Sequence, residues 1–347
     1  MPHLPIAVCC AALLFATLPA QREGRGPREQ GPPTLANFTV EAGALKSDKV
    51  REGEAGYTIY LPKGYSDEAN KEKKYPWVLW LPGFGGADEF QRKGGAKVLD
   101  RLLGEQKVAP MAFVVFRSPG QRSVYMNGEA QSDTEDLITG DLLDQLQKKY
   151  RLASDSKQRA VMGVSAGGFG AMKIAMRHPD VFGAVAVHSA AILPADPEDL
   201  GGMNEQVVMR QLRRGGIAKE IGDPIDKAKW GAHMPLAIVA QKKPDDMKGL
   251  QIYFDAGTED SYGFCPPNEQ LSTLMTERGY KHLFRKVEGG GHGWGDPSMD
   301  ECVATSLQFV NAAFSGKDAV ATMSAAKPAP EKKEDAKKDE PKKEEAK

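Results

Sequence analysis

Apolar runs of strand length recur along the chain, and mixed apolar and polar runs of helix length lie between them. Tyr57–Leu61, Tyr75–Leu81, Met111–Arg117, Arg159–Gly163, Gly183–Val187, Gln251–Asp255 and His282–Val287 read as strands. Asp136–Tyr150, Gly168–Arg177, Asn268–Arg278 and Pro297–Phe314 read as helices. Alternation of the two element types predicts an α/β fold, a mostly parallel central sheet with helices on both faces. Ile192–Met234 is longer than a simple crossover and reads as a short cap over a pocket.

The flanks read differently. Residues 1–20 contain the apolar run Ile6–Leu18 and end at Leu18-Pro19-Ala20, ahead of polar Gln21-Arg22-Glu23. That is the pattern of a signal peptide with a small-residue cleavage site, so export to a periplasmic or extracellular space is expected. The run is too short for a comfortable membrane span, and no integral span is expected. Residues 21–50 read as a linker and N-terminal extension, with Glu23–Pro33 rich in Gly, Pro and charge. A catalytic domain is expected over 51–315. The Lys, Glu, Ala and Pro of 316–347 cannot bury a core and predict a disordered tail.

Length and charge narrow the options. The 347 residues suit one α/β domain plus tails. With 46 basic against 47 acidic residues there is no case for a nucleic-acid partner. Removal of the leader leaves Cys265 and Cys302, each just past a loop that carries candidate chemistry. A disulfide bracing those loops and two buried thiols both fit, and neither a C-x-x-C motif nor clustered His supports a metal site. The oligomeric state is not legible.

Gly163-Val164-Ser165-Ala166-Gly167 follows one predicted strand and opens a predicted helix. A G-x-S-x-G pentapeptide in that context is a nucleophile elbow of the α/β-hydrolase kind, in which a strained turn lifts the serine hydroxyl clear of the sheet. Taken without its context, the motif is an ordinary Gly-rich turn. The rest of a triad follows in the order Ser, acid, His. A serine hydroxyl is a weak nucleophile until an imidazole takes its proton, and a carboxylate must fix that imidazole's tautomer.

His292, in the loop Glu288-Gly289-Gly290-Gly291-His292, is the strongest base candidate among six histidines. His3, His178, His233 and His282 have plainer readings in the leader, at a helix end, in a loop and at a strand start. His188 follows an apolar strand, which suits either a pocket-lining or a structural role. Asp255, Glu259 and Asp260 crowd one strand end. Asp260 is favoured as the acid because it lies in the loop beyond the strand, while Asp255 stays open as acid, turn former or support, and Glu259 as a solvent-facing residue. The loop Pro82-Gly83-Phe84-Gly85-Gly86 follows the buried strand Tyr75–Leu81. Backbone N–H groups of Phe84 and Ala166 are the candidate oxyanion donors.

Leu81–Gly86, Gly163–Gly170, Gly257–Asp260 and Gly290–Trp294 together resemble the putative-esterase group of α/β-hydrolases. That group includes feruloyl esterases, S-formylglutathione hydrolases and mycolyltransferases. Arg117–Leu143, with Tyr125-Met126-Asn127-Gly128, is similar to the segment before the nucleophile strand in those enzymes. The resemblance spans about Tyr57 to Phe314. It implies Ser165 as nucleophile, Asp260 as acid, His292 as base, and Phe84 and Ala166 as oxyanion donors. One departure is Pro82-Gly83, where many relatives carry His-Gly.

The expectation is therefore an exported serine esterase that needs no cofactor and acts on a small-molecule or carbohydrate ester. Phe84, Tyr125, His188, Tyr262 and Trp294 are candidate pocket residues, and their aromatic character suits a sugar or a phenolic acyl group. An acyltransferase using the same triad is the enzymatic alternative. A catalytically dead carbohydrate-associated module is the alternative from another class, and three retained catalytic groups argue against it.

Overall fold

The computed structural model describes residues 34–120, 122–199, 218–294 and 301–325. The expected signal peptide, the Gly/Pro linker, most of the charged tail and part of the expected cap therefore lie outside the described residues. Strands β1 (Phe38–Leu45), β2 (Ala55–Pro62), β3 (Trp77–Leu81), β4 (Ala112–Arg117), β5 (Arg159–Val164), β6 (Ala184–His188), β7 (Gln251–Gly257) and β8 (Leu283–Val287) form one sheet. Its order is β1-β2-β4-β3-β5-β6-β7-β8. β2 is antiparallel to both of its neighbours, and every other pairing is parallel.

Alternate side chains of the central strands point to opposite faces. Trp77, Leu79 and Leu81 of β3 join one apolar cluster, while Val78 and Trp80 join the other. Both faces are thus covered, as a parallel sheet requires. Each fully buried Leu or Phe contributes roughly 1.5–3 kcal/mol relative to an exposed one. Helices α1 (Glu89–Arg92), α2 (Gly95–Gly104) and α3 (Thr134–Asp136) come first. A π-helical turn, Leu137–Leu142, then joins α3 to α4 (Leu143–Lys149), where the sequence predicts one regular helix over Asp136–Tyr150. α5 (Ala166–Arg177) follows the elbow.

The segment expected to form a cap holds short helices α6 (Ala218–Ile221) and α7 (Lys227–His233), and α8 (Pro235–Gln241) follows it directly. Ile221, Trp230, Met234 and Ala237 pack there with Met126, Phe169 and Leu193 in a small separate cluster. α9 (Cys265–Glu277) starts three residues before the expected Asn268, because Pro266 and Pro267 occupy its first turn, where a missing N–H costs nothing. α10 (Cys302–Phe314) fills most of the last expected helix, and α11 (Ala319–Ala325) follows.

Two boundaries change. β1 lies within the stretch expected to be an extension; it pairs along its whole length with β2, from Phe38↔Pro62 to Leu45↔Ala55. Only Phe38 and Leu45 of this edge strand are buried, so its apolar signal is thin. The folded region also runs past 315. Ala319 is fully buried, its N–H reaches Gln251 Oε1 at 3.2 Å, and Lys281 pairs with Asp318.

No disulfide joins Cys265 and Cys302. α9 contributes Leu271 and Met275 to one apolar cluster, whereas Cys302 and Leu307 of α10 belong to the other. The sheet lies between the two helices, so of the two readings open for this pair the bracing disulfide is the one that does not form. Backbone contacts described below brace the two loops instead. Among the described residues, no helix is long and apolar enough to cross a membrane.

Candidate active site

Register brings the C-terminal ends of the parallel strands side by side, the usual place for a site in such sheets. Leu81 of β3 pairs with Gly163 of β5, and His188 of β6 pairs with Asp255 of β7. The loops beyond these ends carry the Gly83–Gly85 segment, Ser165, Asp260 and, after β8, His292.

Ser165 has φ +57° and ψ −122° at the junction of β5 and α5. A left-handed φ on a non-glycine residue is strained and persists only where its surroundings hold it. Here the Ser165 N–H donates to the His188 carbonyl, and its own carbonyl accepts from Phe169 and Ala191. The flanking glycines are needed for close approach. A Cβ at Gly163 would lie 2.4 Å from the Gly167 carbonyl oxygen, and one at Gly167 only 1.9 Å from that of Leu81. The serine therefore stands at the N-terminus of a twelve-residue helix, where free N–H groups and the dipole favour negative charge.

His292 Nδ1 donates to Asp260 Oδ2 at 2.8 Å. The Asp260 side chain is fully buried and that of His292 is partly exposed. Asp260 is fixed in turn by the Tyr262 N–H on its Oδ1, at 2.8 Å. Glu259 is exposed. The Asp260 and His292 loops are joined by backbone: Glu259 N–H donates to the Gly290 carbonyl and Thr258 N–H to that of Val287. A Cβ at Gly257 would sit 2.1 Å from the Gly290 oxygen, so only glycine permits this contact.

Ser165 and His292 line one cavity of about 520 Å³, together with Gly83, Phe84, Gly85 and Ala166. A Cβ at Gly83 would be 3.2 Å from that of Ser165, which places the glycine-rich loop directly against the nucleophile candidate. Val124, Met126, Phe169, Leu193 and Phe264 supply an apolar wall. Tyr262 is 63 % exposed at this cavity, stacks on Phe264 at 5.8 Å and meets the His292 ring at 4.5 Å. Charge enters at one side, where Glu89 pairs with Lys93 at 3.0 Å and Arg122 sits over the Phe84 ring.

The remaining pocket candidates lie elsewhere. His188 is fully buried, with Nδ1 2.9 Å from Asp255 Oδ2 and Nε2 3.1 Å from Ser306 Oγ. Tyr253 also donates to Asp255. Ser306, His188 and Asp255 thus repeat a Ser-His-Asp arrangement inside the core, away from the cavity lining. Trp294 is buried against Trp80 and Phe90, which denies it a substrate-facing role. Tyr125 is buried beneath the glycine-rich loop; it is absent from the wall of the Ser165 cavity and lines an adjoining one of about 570 Å³ with Pro82, Gly83 and Phe84.

A charged cluster underlies α5. Glu135 accepts from Lys173 at 2.6 Å and from Arg177 at 2.7 Å, and lies 2.8 Å from His178 Nε2. Burial would raise the Glu135 pKa, but Lys173, His178 and Arg177 outweigh it and hold the carboxyl well below the usual range. Ser189 was not legible as a site residue in the sequence. Its Oγ accepts from the Gly293 N–H at 3.0 Å and ties the His292 loop to the end of β6. Its only sequence signal is its place directly after a central strand.

Residues 49–297 match the model of the family described as "Putative esterase", and the chain belongs to that family. It is 30% identical over 134 residues to an endo-1,4-beta-xylanase/feruloyl esterase of Xylanibacter ruminicola. That match covers 36% of this chain and 18% of the much longer relative. Among solved structures, a ferulic acid esterase is similar at 25% identity and a TM-score of 0.62, covering 81% of this chain and 100% of the other. An S-formylglutathione hydrolase from Agrobacterium tumefaciens shares the fold at 15% identity, with a TM-score of 0.61 and coverage of 81% and 98%. The fold is that of the α/β-hydrolases.

Proposed function

We propose that the chain is a carboxylic ester hydrolase in which Ser165, His292 and Asp260 act as a triad through an acyl-enzyme. The observation that carries this reading is the 2.8 Å His292–Asp260 pair on the same cavity as the elbow serine. Asp260 holds the Nδ1–H tautomer, leaving Nε2 as the base. Ser165 Oγ adds to the ester carbonyl as His292 takes its proton. The N–H groups of Ala166 and Phe84 receive the oxyanion. Collapse expels the alcohol, protonated by His292, and water repeats the sequence to release the acid.

The apolar wall and the exposed Tyr262 at the cavity suit an aromatic acyl group, so phenolic esters, including those carried on carbohydrate, are the proposed substrates. The feruloyl esterase relatives support that choice. Residues 1–20 are proposed to direct export. A panel of purified feruloyl, acetyl, short acyl and glucuronoyl esters tests the substrate: turnover greatest on feruloyl esters supports it, and a clear preference for acetyl esters rejects it.

A further inference from the structure

We infer that Tyr125 is a positioning residue: it struts the Pro82–Gly85 loop against helix α5 and so sets the spacing between the two oxyanion donors. The inference rests on Ser165 being the nucleophile. The Tyr125 hydroxyl donates to the Pro82 carbonyl at 2.5 Å. Its side chain packs against α5, so closely that a Cβ on Gly170 would be 2.5 Å from ring atom Cδ2. Its backbone carbonyl accepts from Lys173 Nζ, also on α5, and Lys173 is itself anchored by Glu135 at 2.6 Å. One end of this strut holds the peptide two residues before Phe84. The other end holds the helix that begins at Ala166.

The loop needs such a hold. Gly83, Gly85 and Gly86 give it backbone freedom and no side chain with which to anchor itself. Because the peptide unit is planar, a hydrogen bond on the Pro82 carbonyl also orients the Gly83 N–H and the chain leading to Phe84. Tyr125 itself is held at φ +60°, a strained value that its surroundings enforce. Its N–H donates to Ser123 Oγ, while Ser123 Oγ and the Val124 N–H both donate to the buried Glu129. Burial, with Glu129 and Glu89 nearby, raises the Tyr125 pKa well above its ordinary value, so the phenol remains a donor at every working pH.

The test is Tyr125→Phe, which removes the hydroxyl and keeps the ring. Its kcat on a simple ester should fall on the order of 10- to 100-fold, with KM within about threefold, because a misplaced oxyanion donor acts on the transition state. Affinity for an alkyl boronic acid, which forms a tetrahedral adduct on the serine, should fall by the same factor. The acidic limb of the kcat/KM profile should stay in place. Incorporating 3-fluorotyrosine at 125 restores a donor on the same ring and should restore kcat, which separates positioning from loss of fold. Values of kcat and boronate affinity within twofold of the parent would overturn the strut, as would a shifted acidic limb. A parallel Ser165→Ala sample keeps the two claims apart. If the parent protein's hydrolysis does not depend on Ser165, the triad reading fails; if it does, only the role of Tyr125 is in question.

Discussion

Asp255 and Asp260 leave the same strand end five positions apart in numbering, yet each serves a different histidine. Asp260 holds His292 on the cavity at 2.8 Å, and Asp255 holds His188 in the core at 2.9 Å. Local sequence favours Asp260 by its place in the loop beyond the strand but leaves Asp255 open, since both are carboxylates near the end of one apolar run. The division predicts opposite phenotypes.

Asp260→Asn should lower kcat about 10⁴-fold by upsetting the imidazole tautomer, with little change in unfolding temperature. Asp255→Asn should act on the fold, because it leaves His188 and Tyr253 imperfectly paired in the core, at a cost of about 1–3 kcal/mol. Steady-state kinetics and thermal unfolding of both variants check this. Equal kinetic losses would remove the distinction.

The same pair shows what the sequence could and could not carry. The elbow glycines, the order of Ser165, Asp260 and His292, and the central strands are local patterns, and they were legible. His188 and Trp294 are aromatic residues beside the candidate site segments, but orientation about the sheet decides whether such a side chain meets the cavity or the core. That orientation depends on strand register and helix placement. β1 was obscured by the Glu, Ala and Gly of FTVEAGAL, where pairing with β2 rather than apolar burial makes the strand. The cysteine pair stayed open between a disulfide and buried thiols for a similar reason: nearness to two neighbouring loops does not say on which face of the sheet each following helix packs.

Gly257→Ala should separate the Asp260 and His292 loops, because its Cβ would fall 2.1 Å from the Gly290 carbonyl oxygen. Displacement of Asp260 relative to His292 by even about 1 Å costs on the order of 100-fold in kcat. The measurement is kcat beside a circular dichroism spectrum. Unchanged turnover in a folded variant would show that the loops tolerate the shift.

Acid should destabilise the fold. Burial, together with Lys173 and Arg177, lowers the His233 pKa from 6.5 to about 3, although Glu135 and Glu220 lie near it. The unfolded chain therefore binds the extra proton between about pH 6.5 and 3, so stability is full above that window and falls as pH drops through it. Glu135, with its depressed pKa, adds to the loss below the ordinary carboxylate range. The unfolding midpoint should drop by several degrees between about pH 7 and 5, and His233→Gln should flatten that slope. An unaltered slope in the variant would assign the acid sensitivity elsewhere.

Tyr262→Ala should selectively weaken aromatic acyl substrates, since Tyr262, Phe264 and His292 form an aromatic cluster at the cavity. The ratio of kcat/KM for a feruloyl over an acetyl ester should fall about tenfold, within the 1–3 kcal/mol range of pocket discrimination. A constant ratio would place acyl recognition deeper, on Met126, Phe169 and Leu193.

The most direct measurement is ester hydrolysis by Ser165→Ala, with folding checked by thermal unfolding and the parent protein's acyl-enzyme trapped for intact-mass analysis. The account predicts a loss of about 10⁴-fold or more at an unchanged unfolding temperature, and a mass increase equal to one acyl group on the parent protein alone. A folded Ser165→Ala protein that keeps near-parental turnover would contradict it.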